Sequence, residues 1–114
     1  MAIKVLIKRH VREGHLQEAI GILENLRGMA INQPGYISGE TLTNHYDPRT
    51  IVVVSAWHTL EDWIRWQSSD ERSGSEAYIE TILEEPTKYE VYDVRSAIVN
   101  VRAEDALIQP DEVS

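Results

Sequence analysis

The chain has 114 residues, enough for one domain around one hydrophobic core. Its 19 acidic residues against 11 Lys and Arg give a formal charge of −8, which argues against nucleic acid and anionic membrane surfaces as partners. There is no Cys, so disulfides, thiolate metal sites and thiol nucleophiles are excluded.

Residues 2–10 alternate, with Ile3, Val5 and Ile7 on one side and Lys4, Lys8 and His10 on the other. Period two with one apolar side predicts a half-buried strand. Lys4, Lys8 and Arg9 also break the stretch in a way no signal peptide does. No apolar run reaches membrane-spanning length, and the expected location is the cytoplasm. Gly14 opens a helix whose apolar face is Leu16, Ala19, Ile20, Leu23 and Leu26, at helical spacing. Asn32-Gln33-Pro34-Gly35 stops it.

A second strand is predicted over 36–44, with Gly39 marking a bulge or a close backbone approach. Tyr46-Asp47-Pro48-Arg49 is turn chemistry. The third strand, over 50–57, is apolar on both sides: Ile51, Val53 and Trp57 on one, Val52, Val54 and Ala56 on the other. Such a strand is central and covered on both faces. Thr59 with Asp62 resembles a capping box and starts a short helix containing Trp63 and Ile64. Ser68 with Glu71 signals a further helix, carrying Tyr78, Ile79, Ile82 and Leu83 and stopping at Pro86. A fourth strand follows over 89–94. Ala97, Val99 and Val101 alternate as a short fifth strand, and an acidic tail begins at Ala103.

The order β-α-β-β-α-α-β predicts an α+β fold: a ferredoxin-like split βαβ antiparallel sheet with helices on one face. Helices on one face leave the third strand's second apolar side bare. The expected cover is a second copy of the chain, sheet face on sheet face, in a two-fold homodimer. The alternative is a sheet curved over its own face.

Two segments resemble the antibiotic biosynthesis monooxygenase (ABM) family, whose members have the dimeric α/β-barrel fold. One is Gln33-Pro-Gly-Tyr-Ile-Ser. The other is Ser55-Ala-Trp-His-Thr-Leu-Glu-Asp-Trp-Ile-Arg-Trp-Gln-Ser-Ser. The likeness runs from about residue 2 to residue 95. It divides the chain into a domain at 1–95 and a C-terminal strand and acidic tail at 96–114. The resemblance implies cofactor-independent oxygenation of an aromatic phenol or quinol by dioxygen, with no metal and no cofactor. It implies an apolar, partly aromatic pocket with a few polar groups that bind the phenolate of a small aromatic molecule. Trp57 matches the family's strand-end tryptophan, and Trp63 lies where some members carry a pocket Tyr. A polar Asn of the family falls at Val53, and a second-strand His of some members falls near Leu42. Haem-degrading relatives use an Asn, a Trp and a His. The Trp matches Trp66, but the His falls at Glu76 and the Asn at Ile7, so haem degradation is not expected. A non-catalytic small-ligand-binding, sensor or stress module on the same fold is the alternative to an enzyme.

The candidate pocket residues are therefore Ile7, Arg9, Trp57, Trp63, Trp66 and Tyr78. Each has a plainer reading. The tryptophans can simply fill the space between helices and sheet. Arg9 continues the apolar row of the first strand, and pairing with a helix carboxylate is its expected role. Tyr78 is expected on the apolar side of its helix, facing the pocket. Glu76, Glu80 and Glu84 recur at i, i+4, i+8 and are expected as a solvated outer stripe. His10, His15, His45 and His58 lack the spacing of a helical metal pair and are expected at the surface.

Overall fold

The computed structural model describes residues 2–98. It contains β1 (Ile3–His10), α1 (Leu16–Ala30), β2 (Tyr36–Thr43), β3 (Thr50–Trp57), α2 (Leu60–Gln67), α3 (Asp70–Glu80) and β4 (Lys88–Asp93). The sheet order is β2-β3-β1-β4, and every neighbouring pair is antiparallel. β1 and β2 flank β3, so the β1-α1-β2 unit is split by the strand that follows it. This is the ferredoxin-like α+β arrangement that the element order predicts.

The register sorts the side chains. Ile3, Val5, Ile7 and Arg9 pair with Trp57, Ser55, Val53 and Ile51, so these eight share one face. That face packs on Ala19, Leu23, Leu26 and Ala30 of α1, a stripe at helical spacing. Trp63 and Trp66 of α2 and Ile79 of α3 join the same core, so all three helices lie on one side. The opposite face carries Leu6, Val52, Val54, Ala56, Leu42 and Tyr92, flanked by Lys4, Lys8 and Glu90. No described helix covers it. Leu42 and Tyr92 stand 47% and 52% exposed there.

Two sequence expectations move by a few residues. Ser68 is the C-cap of α2, its hydroxyl donating to the Ile64 carbonyl. The N-cap of α3 is Ser69, whose hydroxyl accepts from the Arg72 amide at 3.3 Å. The helix then stops at Glu80, six residues short of Pro86. Tertiary pairing wins over helical propensity there. Ile82 accepts from the Arg12 amide at 2.9 Å, Leu83 bridges Val11, and Glu84 donates to the His10 carbonyl at 2.8 Å. Ile82 and Leu83 are buried in this return segment and not on a helix face. In the fifth-strand expectation, Ala97 carries no strand, and Val99, Val101 and the tail lie outside the described residues.

The entry into β2 is held by one close approach. Gly35 has φ +82°, and a Cβ there would lie 2.0 Å from Asp62 Oδ2. Its carbonyl accepts from His58 at 2.8 Å, tying the start of β2 to the end of β3. The Asp62 amide donates to the hydroxyl of Thr59, which caps α2, and its carboxylate accepts from Arg65 at 2.9 Å. Side-chain hydrogen bonds from Arg65 and, to a lesser extent, the Thr59 hydroxyl hold its carboxyl below the usual carboxylate range. Gly35→Ala therefore meets both a left-handed backbone and a carboxylate. It should cost about 2 kcal/mol or more of stability, read as a lower urea midpoint at unchanged slope; a wild-type midpoint would refute the close approach.

Candidate functional site

A cavity lies between the helix-covered sheet face and the three helices, with a free volume of ≈ 50 Å³. A water needs ~10–15 Å³ by this kind of measure, and pockets for drug-sized ligands run to hundreds. The cavity thus holds a few waters or a dioxygen as it stands, and a polycyclic ring enters only if the walls part.

Its aromatic wall is built from three elements. Trp57 ends β3 and is fully buried, with its indole N–H donating to Ser55 Oγ at 3.1 Å. Tyr36, opposite it on β2, meets it edge-on, with ring centroids 5.3 Å apart. Trp63 lies 5.9 Å from Trp57 and 6.2 Å from Tyr89, and Trp66 completes the α2 side. The register slips between Tyr36 and Ser38, so the irregularity expected at Gly39 begins just before it. Gly39 is also a close approach, because a Cβ there would sit 2.3 Å from the Tyr36 hydroxyl. Burial pushes the Tyr36 phenol above its ordinary pKa, with Arg27 opposing the shift.

The polar wall is a buried ion triad. Arg9 Nη2 of β1 donates to both carboxylate oxygens of Glu76 on α3, at 2.8 and 3.0 Å. Arg72, one turn before Glu76, reaches the same carboxylate at 3.1 Å. The Arg9, Arg72 and Glu76 side chains are only 1%, 6% and 13% exposed. Arg72 also donates to the Tyr89 hydroxyl at 3.0 Å and the Gln67 carbonyl at 3.4 Å. Its guanidinium lies over the Trp63 and Tyr89 rings, 5.5 and 5.6 Å from their centroids. Arg9 Nε is the exception: it is buried and has no hydrogen-bond partner.

Ile7, Arg9, Trp57, Trp63 and Trp66 all border this cavity, and Arg9 pairs with a helix carboxylate. Tyr78 does not border it. It is half exposed, with its hydroxyl donating to Glu18 of α1 on the outer surface. Ile79 takes the buried position of α3, and Tyr78, one residue back along the helix, is turned away from it. The Glu76–Glu80–Glu84 stripe is also corrected. Only Glu76 and Glu80 are helical. Glu76 points inward to the arginines, Glu80 bonds Thr87, and Glu84 pairs with Arg49 at 3.0 Å. The four histidines lie away from the cavity; His10 pairs with Asp47 at 3.2 Å and His15 with Glu18 at 3.0 Å. Among the described residues no three His, Cys, Asp or Glu converge as a metal-ligand group.

The residues that sequence reasoning missed are Tyr36, Arg72, Glu76 and Tyr89. For Arg72 and Glu76 a signal existed. They sit at i, i+4 on a helix with few apolar residues, and an arginine ends the buried row of β1. Opposite charges on facing surfaces are a pairing signal.

Comparison with known proteins places this geometry. The sequence profile described as antibiotic biosynthesis monooxygenase matches residues 2–74. No curated protein matches the chain. A conserved protein from Methanosarcina mazei superposes with a TM-score of 0.77 at 18% identity, over 81% of this chain and 91% of that one. SnoaB, a cofactor-independent oxygenase from Streptomyces nogalater, gives 0.78 at 11% identity, over 87% and 98%. A Mycobacterium tuberculosis protein gives 0.79 at 11% identity, over 87% and 100%. At these identities the likeness to solved structures is one of fold. With the profile covering most of its length, the chain belongs to the antibiotic biosynthesis monooxygenase family.

Proposed function

We propose that this protein is a cytoplasmic, cofactor-independent monooxygenase of an aromatic phenol- or quinol-like molecule. The observation that carries the reading is a tryptophan-walled cavity with arginines at one end, in a chain of this family. The domain at 1–95 is the working unit. Dioxygen fits the present space, and the substrate ring enters by displacing the aromatic wall.

The chemistry needs little from the protein. An anthrone-like substrate loses a proton and becomes an electron-rich anion that reacts with dioxygen directly. Its CH2 becomes C=O, and the two hydrogens leave with the second oxygen atom as water. The substrate supplies all four electrons, so no outside reductant enters. The chain's part is to hold the anion against Trp57, Trp63 and Trp66, stabilise its charge with Arg9 and Arg72, and exclude bulk water.

One observation favours the runner-up, a non-catalytic ligand-binding module. No histidine borders the cavity, the Glu76 carboxylate is held by two arginines, and the other bordering carboxylate, Glu40, is exposed, so no buried free general base faces a ligand. Oxygen uptake separates the two. With anthrone or a reduced naphthoquinone, uptake should exceed the non-enzymatic rate at one dioxygen per anthrone. Trp66→Phe should lower kcat/KM about ten-fold while the fold is kept, a loss of wall packing worth ~1.4 kcal/mol. Uptake at background across several such substrates sinks the oxygenase reading.

The same reading includes a homodimer through the sheet faces. Leu6, Val52, Val54, Leu42 and Tyr92 form an apolar strip that no described helix covers. A two-fold pairing buries this strip on both copies at once. Sedimentation at micromolar concentration should give twice the chain mass, and Val54→Asp should give the monomer. A monomeric wild type at that concentration refutes the packing argument.

A further inference from the structure

The cavity is too small for a ring as it stands, so part of its wall must move, and the wall is not held equally on all sides. At the α3 end, Arg9 and Arg72 are tied to Glu76 by contacts of 2.8 to 3.1 Å between nearly buried groups. On the α2 side, Trp63 and Trp66 are buried, as is Trp57 at the end of β3. The remaining side is the gap between α1 and β2. Of the residues that border the cavity, only Arg27 of α1 and Glu40 of β2 are exposed, and Gly39 and Thr41 beside Glu40 are half-buried. The cavity therefore reaches solvent here.

Three features make this the side that yields. β2 is an edge strand with β3 as its single neighbour in the described sheet. Its register slips between Tyr36 and Ser38, just before the stretch that borders the gap. Among the described residues, one hydrogen bond joins α1 to β2: Arg27 Nη2 donates to Thr41 Oγ1 at 2.9 Å, in an exposed position. Tyr36 stands on the same strand, with its hydroxyl beside Gly39, and is the one half-buried ring of the aromatic wall that β2 carries. We infer that ligands enter the cavity between α1 and β2, and that the Arg27–Thr41 hydrogen bond is the latch of this entrance. Breaking one exposed hydrogen bond takes little free energy, so the open form is a minor local state and not an unfolded one. β2 then moves away from α1 and takes Tyr36 with it, while the ion triad and the three tryptophans keep their places. The entrance belongs to the cavity and not to the chemistry, so it serves an oxygenase and a binding module alike.

The test reads access and needs no turnover. All three tryptophans of the chain border the cavity and are buried, so quenching of their fluorescence by acrylamide, a small neutral molecule, reports opening of the wall. Thr41→Val keeps the shape of the side chain and removes the acceptor. It should raise the quenching constant about five-fold, the change in open population that one lost hydrogen bond allows. The urea midpoint should stay at the wild-type value, because the opening is local. Thr41→Ser keeps the hydroxyl and should quench as the wild type does.

A second arm closes the entrance. The chain has no Cys, so Glu40→Cys places a single thiol at the mouth on an exposed position. Its labelling with N-cyclohexylmaleimide should lower the quenching constant, whereas the same label on Glu13→Cys, exposed and away from the cavity, should leave it unchanged. If Thr41→Val fails to fold, the labelled Glu40→Cys protein decides. A Thr41→Val constant equal to the wild type, an equal rise in Thr41→Ser, or quenching unmoved by the label at residue 40 overturns the inference.

Discussion

The contact between Arg9 of β1 and Glu76 of α3 decides where the third helix sits, and much of the site follows from it. α3 buries only Arg72 and Ile79 along its length, too little apolar surface to fix its angle on the sheet. The ion triad supplies the missing constraint. It carries a cost, since taking a charged group out of water takes several kcal/mol per ion even after relaxation. Hydrogen bonds offset much of that cost. Arg9 meets both carboxylate oxygens, and Arg72 adds the Tyr89 hydroxyl and the Gln67 carbonyl. The remaining imbalance of charge lies where the cavity is.

The triad also fixes the aromatic wall. Arg72 covers the Trp63 ring from the α3 side, while Trp57 meets it from the sheet. Trp57 is held in turn by its bond to Ser55 and by the edge of Tyr36. Tyr36 reaches that place because the chain turns sharply at Gly35 and slips register before Ser38. Two glycines thus set one face of the cavity. Gly35 lets β2 start against α2, and Gly39 leaves room for the Tyr36 hydroxyl. Core and pocket are not alternatives for these tryptophans. Each is nearly fully buried, and each presents part of its ring to the same small space.

The strands were legible because period two leaves little freedom. β3 has the bounds read from its β-branched run, Thr50–Trp57, and β1 and β2 differ by a residue or two. α1 was legible from its apolar stripe and the Pro34-Gly35 stop. The end of α3 was not. Its residues continue a helical pattern to Leu83, and only the pairing with Val11 and His10, far away in sequence, pulls them out. The same limit hid Glu76. A carboxylate at i, i+4, i+8 with others looks like a solvated stripe unless the arginine it will meet is known. Tyr78 failed for the converse reason: an aromatic beside a buried Ile looks buried itself. Local pattern gives elements and one-residue alternation. It does not give which of two helix faces a long polar side chain finally takes.

The whole chain and its cavity have opposite signs. The formal charge is −8, yet the triad inside is positive by one. At physiological salt the field of the exposed carboxylates fades within ~8 Å, while a buried pair is screened far less. Long-range attraction therefore does nothing to bring an anion to this site. Inside the cavity, the most deeply buried charges at its border are those of Arg9, Arg72 and Glu76. Such a site discriminates through how long a ligand stays more than how fast it arrives. That division matches the layout of the sheet. One face holds the triad and the aromatic wall. The other carries the apolar strip of Val52 and Val54, with no described helix over it, and these residues do not border the cavity.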